Sequence, residues 1–147
     1  MNSNRSKNMN GLAKAVALIK ALEPKHRYQL LKKIAKTSPL LFHIFDQCQF
    51  LYSEIYKFDN KSLEALIRDV PTEEWLIAWK LTKNQLRSRI LDNMSETMKN
   101  DFITNTKTTP RLRKSQVYKV QIAIARQAEE GLMAGKYKLS HATHLKT

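Results

Sequence analysis

The stretch DNKSLEALIRDVPTEEWLIAWKLTKNQLRSRILDNMSETMKNDFITNTKTTPRLRKSQVYKVQIAIARQ, residues 59–127, repeats apolar residues at intervals of three and four positions. On a helix this spacing makes one apolar stripe, and such stripes must be buried against each other. We therefore predict at least four short helices packed into a compact all-α domain. The stripes are Leu63, Leu66, Ile67 and Val70; Trp75, Leu76 and Trp79; Leu86, Ile90 and Leu91; Met98, Phe102 and Ile103; and Val117, Val120, Ile122, Ile124, Ala125 and Ala128.

Polar residues suited to helix starts precede these stripes. A side-chain oxygen at such a position accepts a free N–H of the first turn, so each one marks a predicted helix N-terminus. The segment 104–110 combines weak helix formers with Pro110 and predicts a surface loop. The last helix is expected to end between Gly131 and Gly135. The predicted starts are Asp59-Asn60, Thr72, Thr82 with Gln85 as a capping box, Ser95 and Ser115.

Both ends of the chain carry weaker signals. Residues 1–10 are polar, and we expect a flexible N-terminus there; the polar residues 136–147 predict a flexible tail. Asn10 is a candidate N-cap for a first helix, Pro24 suits the first turn of a second, and Ser38-Pro39 marks a third. Three short helices in series predict an armadillo-like helical segment over residues 11–48.

The net charge of +13 over 147 residues is the strongest compositional signal. A basic chain suits nucleic acid, an anionic membrane face or an acidic protein partner, and charge alone does not choose among them. No apolar run approaches the roughly 20 residues that span a bilayer, and the first ten residues lack a signal-peptide core. We expect Cys48, the single cysteine, to be a buried or half-buried thiol in a reducing cytoplasm.

The usual signatures of catalysis are missing from the sequence. It contains no Walker loop, dinucleotide fingerprint, CxxC pair, zincin motif or nucleophile elbow. His141 and His144 are three positions apart, but no further candidate ligand clusters with them, so we predict neither a metal site nor a cofactor. Aromatic residues within 50–58 favour core packing over base stacking. We therefore expect a non-enzymatic protein whose best contact site by charge is the basic segment 111–114.

Several short segments fall in register with one known family. They are QFLY at 49–52, DNKSL at 59–63, LIAWK at 76–80, NMS at 93–95, RKSQV at 113–117 and IAIARQ at 122–127. Together they resemble the C-terminal region of the flagellar motor switch protein family FliG. The resemblance implies a compact six-helix domain over residues 49–135, following an armadillo-like stack.

The same resemblance implies a structural, force-transmitting role in the cytoplasmic ring beneath the flagellar basal body. In the family, charges on one exposed helix meet charges on the stator. Lys80 and Arg113 fall on a functional lysine and arginine of the family, whereas its torque-helix arginine falls on Thr97. The family's acidic pair falls on Thr104 and Asn105, so the acidic side of the contact is replaced. The candidate partner-facing residues are Lys80, Arg87, Thr97, Thr104, Asn105 and Arg113.

The N-terminal part resembles the family less completely. Residues 22–36 look like one armadillo hairpin, and the chain holds no Glu-His-Pro-Gln motif, with which the family binds FliM. We therefore expect a shortened and diverged relative. Its expected partners are flagellar rotor, switch or stator proteins and, through the segment 11–48, further copies of itself. The expected location is cytoplasmic, at the inner-membrane face of the basal body.

Three functions stay open on the sequence alone. The leading hypothesis is a FliG-like component or accessory paralogue of the motor switch complex. A diverged helical scaffold for an unrelated acidic partner is the second. The third is a basic helical nucleic-acid-binding module, whose affinity would fall steeply with salt. Besides the segment 111–114, this module would use Lys14, Lys20, Lys25, Arg27, Lys32, Lys33 and Lys36.

Overall fold

A computed structural model describes the backbone of residues 2–45 and 49–140, and the side chains of residues 11–43, 45 and 49–140. The chain divides into two compact units, Met1–Phe50 and Leu51–Thr147. Cys48, His141 and His144 lie outside the described residues. The helices are α1 Asn2–Ala21, α2 Pro24–Thr37, α3 Pro39–Phe45, a 3₁₀ helix Tyr52–Lys57, α4 Asn60–Asp69, α5 Thr72–Trp79, α6 Asn84–Asp92, α7 Glu96–Thr108 and α8 Lys114–Met133.

The N-terminal unit contains α1, α2 and α3, as the three predicted helices require. Its small core joins Ile19, Leu31 and Phe45, one residue from each helix. Pro24 stands in the first turn of α2, and the Ser38 hydroxyl accepts the Leu41 N–H at 3.3 Å at the start of α3. The start of α1 differs from the prediction, because the helix begins at Asn2 and runs through residue 10 without a cap there.

The C-terminal unit confirms the predicted all-α domain. Its described part, residues 51–140, holds the 3₁₀ helix and α4 to α8, and their apolar stripes meet in one core. Burying one large apolar side chain contributes about 1.5–3 kcal/mol, so these stripes dominate the stability of the unit. Met98 and Ile122 are exceptions, being 50% and 59% exposed. The most deeply buried residues are Ile55, Phe58, Leu63, Leu66, Val70, Trp75, Ala78, Ile90, Phe102, Val117, Ile124 and Ala128.

Two predicted caps are confirmed by their hydrogen bonds. The Asp59 carboxylate accepts the Ser62 N–H at 2.7 Å, and the Ser95 hydroxyl accepts the Met98 N–H at 3.2 Å. The predicted capping box at Thr82 is wrong, since α6 begins at Asn84. The Thr82 hydroxyl instead donates backwards to the Ala78 carbonyl at 2.7 Å, because it is buried at the end of α5.

The N-caps of the remaining two helices lie one and two residues before the predicted Thr72 and Ser115. Helix α5 begins at Thr72 itself, after Pro71. Helix α8 begins at Lys114 rather than after Ser115, and the Gln116 side chain accepts the Arg113 N–H at 3.0 Å.

The predicted loop at 104–110 is also corrected, because α7 continues to Thr108. Its threonines satisfy their hydroxyls inside the helix. Thr104 donates to the Asn100 carbonyl at 2.9 Å, and Thr106 donates to the Ile103 carbonyl at 2.6 Å. Such back-bonding satisfies the hydroxyls without favouring the helix, and packing of an apolar face supplies most of the stability of a helix in a protein.

Residues 136–140 were expected in the flexible tail, but they pack against the C-terminal unit. The Lys138 N–H donates to the Ser62 hydroxyl at 2.7 Å, and Leu139 forms an isolated antiparallel bridge with Phe58. Tyr137 is 2% exposed, and its ring centroid lies 5.5 Å from that of Phe58. The aromatic residue Phe58 is therefore core, as predicted.

Tyr137 also depends on two residues of the helices. Its ring lies so close to Gly131 of α8 that a Cβ there would stand 2.1 Å from two ring carbons. Its hydroxyl donates to the Asp69 carboxylate at 2.5 Å, and the Lys136 ammonium lies 2.9 Å from the same oxygen. The chain reaches this position through Gly135, whose φ of 75° suits glycine.

Replacing Gly131 with alanine should destabilise the C-terminal unit. Alanine within a helix is ordinarily favoured over glycine by about 1 kcal/mol, but here the new methyl must displace Tyr137. We expect a net loss of about 1–3 kcal/mol. Both tryptophans, Trp75 and Trp79, lie in this unit, so thermal unfolding followed by tryptophan fluorescence measures it.

Gly11→Ala is the matched control for Gly131→Ala. Gly11 also lies within a helix, and a Cβ there meets nothing within 4 Å. This variant should not lower the melting temperature that tryptophan fluorescence reports. A Gly131→Ala transition equal to or higher than that of the wild type would contradict the close packing of Tyr137.

Asp69 makes a pH-dependent contribution to the stability of the C-terminal unit. The hydrogen bond from Tyr137, followed by the one from Lys136, holds the pKa of Asp69 below its ordinary value of 3.8. A carboxyl with a lowered folded-state pKa stabilises the fold above its unfolded-state pKa and loses that effect as the pH falls through the folded-state value. We expect Asp69→Asn to lower the melting temperature at pH 7, with the difference shrinking below about pH 4. Asp92→Asn, at an exposed carboxylate of α6, is the control; an equal change in both variants would contradict this role.

Candidate functional site

Five of the six candidate residues lie on α7 or around its C-terminal end. Thr97, Thr104 and Asn105 are exposed residues of α7. Lys80 follows α5, and Arg113 precedes α8. The sixth, Arg87, is a half-buried residue of α6 that binds to its own unit, as described below.

A carboxylate stands among the neutral residues of α7. Asp101 is exposed, and it lies four positions after Thr97, three before Thr104 and four before Asn105. Residues three and four apart are neighbours on a helix surface, so these four side chains share one face. We call Thr97, Asp101, Thr104 and Asn105 the α7 face. Asp101 was not predicted as a site residue because the family resemblance compares positions one by one; the helical period, which places it one turn after Thr97, would have found it.

An apolar depression of about 410 Å³ runs beside the α7 face. Trp75 and Phe102 form its buried floor. Met94 and the half-exposed Met98 line its sides, and methionine adapts easily to differently shaped partners. Asp101 is on its rim. The α7 face therefore combines an apolar slot with a negative charge.

Basic residues surround the C-terminal end of α7. The Lys80 ammonium donates to the Thr109 carbonyl at 3.3 Å, directly after the helix. A cation is favoured there because the helix dipole places partial negative charge at that end. Arg111, Arg113 and Lys114 follow and are exposed. We call Lys80, Arg111, Arg113 and Lys114 the basic cluster. The structure thus brings Lys80 and Arg113 to the same connection, although they are far apart in sequence.

Arg87 has a structural role within the C-terminal unit. Its Nη2 donates to the Trp79 carbonyl at 2.6 Å, and its guanidinium carbon lies 5.0 Å from the centre of the Trp79 ring. That ring in turn meets Phe102 of α7 edge to face, with centroids 4.9 Å apart. The guanidinium therefore fixes the tryptophan that supports α7, and these contacts hold Arg87 against its own unit.

The basic residues of α2 that were assigned to nucleic-acid binding also include both exposed and buried side chains. Lys25, Lys32, Lys33 and Lys36 are exposed on α2, whereas Arg27 of the same helix is buried, being 4% exposed. Within the described ranges, no cluster of three or more histidine, cysteine, aspartate or glutamate side chains is arranged to hold a metal ion. Among those residues, no helix has both the length and the apolar character to cross a bilayer.

Comparisons with solved structures recover this fold. Full-length FliG from Aquifex aeolicus superposes with a TM-score of 0.70 at 21% identity, over 83% of this chain and 38% of that one. Residues 116–343 of FliG from H. pylori superpose with a TM-score of 0.64 at 18% identity, over 84% of this chain and 55% of that one. At these identities the likeness establishes the fold.

Comparisons of sequence point to the same family. The flagellar motor switch protein FliG of Aquifex aeolicus is 21% identical over 131 residues, which are 89% of this chain and 40% of that protein. The Buchnera aphidicola protein of the same name is 24% identical over 95 residues, which are 65% of this chain and 29% of that protein. The chain thus spans less than half the length of these relatives. A sequence model of the FliG C-terminal domain matches residues 32–139, well over half of the chain. The chain therefore belongs to the FliG C-terminal domain family.

Proposed function

We propose that this chain is a non-enzymatic component, or accessory paralogue, of the bacterial flagellar motor switch complex. The observation that carries the proposal is the match to the FliG C-terminal domain over residues 32–139, on a helical fold of that type. Its partners are flagellar rotor, switch or stator proteins, met at the cytoplasmic side of the inner membrane. Self-association through the N-terminal unit, which exposes Leu18 and Leu40, belongs to the same proposal and is tested by sedimentation velocity.

The α7 face and the basic cluster are the proposed contact surface. The family's acidic pair falls on the neutral residues Thr104 and Asn105, and Asp101 supplies a carboxylate between them and Thr97. Arg113 and its neighbours supply positive charge at the C-terminal end of the same helix. The surface therefore offers both positive and negative charge to a partner, whereas the six candidate residues from the sequence include no negative charge.

Charge and apolar surface contribute differently to this contact. Exposed charge pairs add only about 0–1 kcal/mol each, so Asp101 and Arg113 chiefly steer and orient the partner. The depression lined by Trp75 and Met98 removes apolar area from water and supplies affinity. A contact built this way weakens with salt but is not abolished by it.

Reversing the charges of this surface should weaken the contact. We expect Asp101→Lys with Arg113→Glu to reduce recovery of rotor, switch or stator proteins from motile cells several-fold, with slower swimming. Both positions are exposed, so the free energy of unfolding, followed by tryptophan fluorescence, should change by no more than about 0.5 kcal/mol. The measurement is co-purification with the tagged chain at two salt concentrations, together with swimming speed.

Two further variants make the test specific. Lys61→Glu reverses an exposed charge on α4, outside the proposed surface, and should leave recovery and swimming unchanged. Arg87→Ala should instead lower stability by about 1–2 kcal/mol, since it removes a hydrogen bond and a cation–π contact. Recovery of no flagellar protein with the wild-type chain would refute the proposed function. Equal recovery with the double variant and with Lys61→Glu would refute the proposed surface.

A further inference from the structure

A second apolar groove, of about 390 Å³, lies within the C-terminal unit away from the α7 face. Its walls come from the 3₁₀ helix, α6 and α8, and none of its lining residues belongs to α7. This volume falls within the range of about 300–1,000 Å³ that is common for ligand sites. The apolar and aromatic residues that line it are Leu51, Tyr52, Tyr56, Leu81, Leu86, Tyr118 and Ile122.

Tyr52 and Gln121 line the groove as its floor, and a buried hydrogen-bond network holds both. The buried Ala78 carbonyl accepts the Gln121 Nε2 at 3.0 Å and the Thr82 hydroxyl at 2.7 Å. The Thr82 hydroxyl has one proton, so the Tyr52 hydroxyl, 2.9 Å away, donates to it. Burial raises the pKa of Tyr52 to about 12, which keeps this donor protonated. The floor is therefore formed before any partner arrives, and a preformed site lowers the entropy cost of binding.

The walls expose apolar side chains that the core of the unit leaves uncovered. Leu51 is 46% exposed, Tyr118 is 50% exposed and Ile122 is 59% exposed. Tyr118 and Ile122 are four residues apart on α8, so they form one stripe along the groove. Single exposed apolar residues are ordinary, but their convergence on a concave groove marks an interaction site.

Positive charge borders this groove. Lys83 lines it and is exposed, and Lys114 lies one helical turn before Tyr118 on the same side of α8. The neighbouring carboxylate of Glu54 accepts the Leu51 N–H at 2.9 Å and lies 3.7 Å from the Lys57 ammonium. That negative charge is compensated within the 3₁₀ helix, so the border presents net positive charge.

We propose that this groove docks an amphipathic helix of another protein, with a row of apolar side chains in the groove and carboxylates facing Lys83 and Lys114. Helix-in-groove recognition needs apolar anchors about one turn apart, and the stripe of Tyr118 and Ile122 has that repeat. Charge complementarity selects an acidic helix. A second copy of the chain fits poorly, because a two-fold contact would bring the lysines of one border against those of the other. None of the residues that line the groove belongs to the α7 face or to the basic cluster, and the two proposed surfaces share only Lys114, which stands at the border of the groove.

The test uses a display library of 16-residue helical peptides selected against the whole chain. Selected peptides should carry apolar residues at intervals of three and four with an excess of aspartate and glutamate. One resynthesised peptide is then measured by fluorescence anisotropy. We expect Ile122→Glu to weaken its binding roughly tenfold or more, because it places a charge in the groove. Lys83→Glu should weaken it several-fold, and less at high salt.

Ala123→Glu is the matched control, since this residue is exposed next to Ile122 on α8 and does not line the groove. It should change the affinity by less than about twofold. Selected peptides without an acidic excess, or binding that Ile122→Glu leaves intact, would overturn the proposal. A dimer in sedimentation velocity that Ile122→Glu dissociates would overturn it too, by assigning the groove to a second copy of the chain.

Discussion

The Ala78 carbonyl, at the end of α5, is the polar group on which the C-terminal unit depends. It is buried among apolar side chains and accepts hydrogen bonds from Thr82 and from Gln121 of α8. A buried carbonyl left without a partner costs roughly 1–3 kcal/mol, so these bonds fix the position of α8 against α5. Tyr52 joins the same network and ties in the 3₁₀ helix. One satisfied group thus connects three elements that are distant in sequence.

Both proposed interaction surfaces depend on α5. On one side, Trp79 meets Phe102 of α7 and is held by Arg87, so the α7 face has a rigid support. On the other side, the network around Ala78 holds Tyr52 and Gln121, which line the groove between the 3₁₀ helix and α8. The apolar residues 75–79 of α5 are all buried or half-buried, whereas Thr72 and Glu73 of its first turn are exposed. This arrangement explains why few of its residues are available for contacts of their own.

The sequence was sufficient for the helical fold and for the local caps. Apolar periodicity located the stripes of α4 to α8. The caps Asp59 and Ser95 were predictable because each accepts an N–H only three residues further along the chain. It failed where a distant partner decides the conformation. Thr82 points at the core instead of capping α6, and Tyr137 is held by Asp69, which is 68 residues away. Threonine content suggested a loop at 104–110, whereas α7 continues to Thr108 with the Thr104 hydroxyl bonded to the Asn100 carbonyl.

The candidate site was predictable only in part, for the same reason. Family resemblance assigned Lys80 and Arg113, and the structure brings both to the end of α7. It could not reveal that Arg87 is used internally, because the Trp79 carbonyl and ring come together only in the folded unit. Asp101 was missed because a resemblance compares positions one by one. A helix presents a face, on which a carboxylate three or four positions away is a neighbour.

We propose, as the central claim, that the α7 face touches the flagellar motor and that the exposed position Lys61 of α4 does not. Site-specific photo-crosslinking in motile cells tests it most directly, with a photoreactive phenylalanine derivative at Thr104 or at Lys61, both exposed. The account predicts crosslinks from position 104 to a rotor, switch or stator protein, and none from position 61. Identical crosslinks from the two positions, or crosslinks from position 104 that include no flagellar protein, would contradict it.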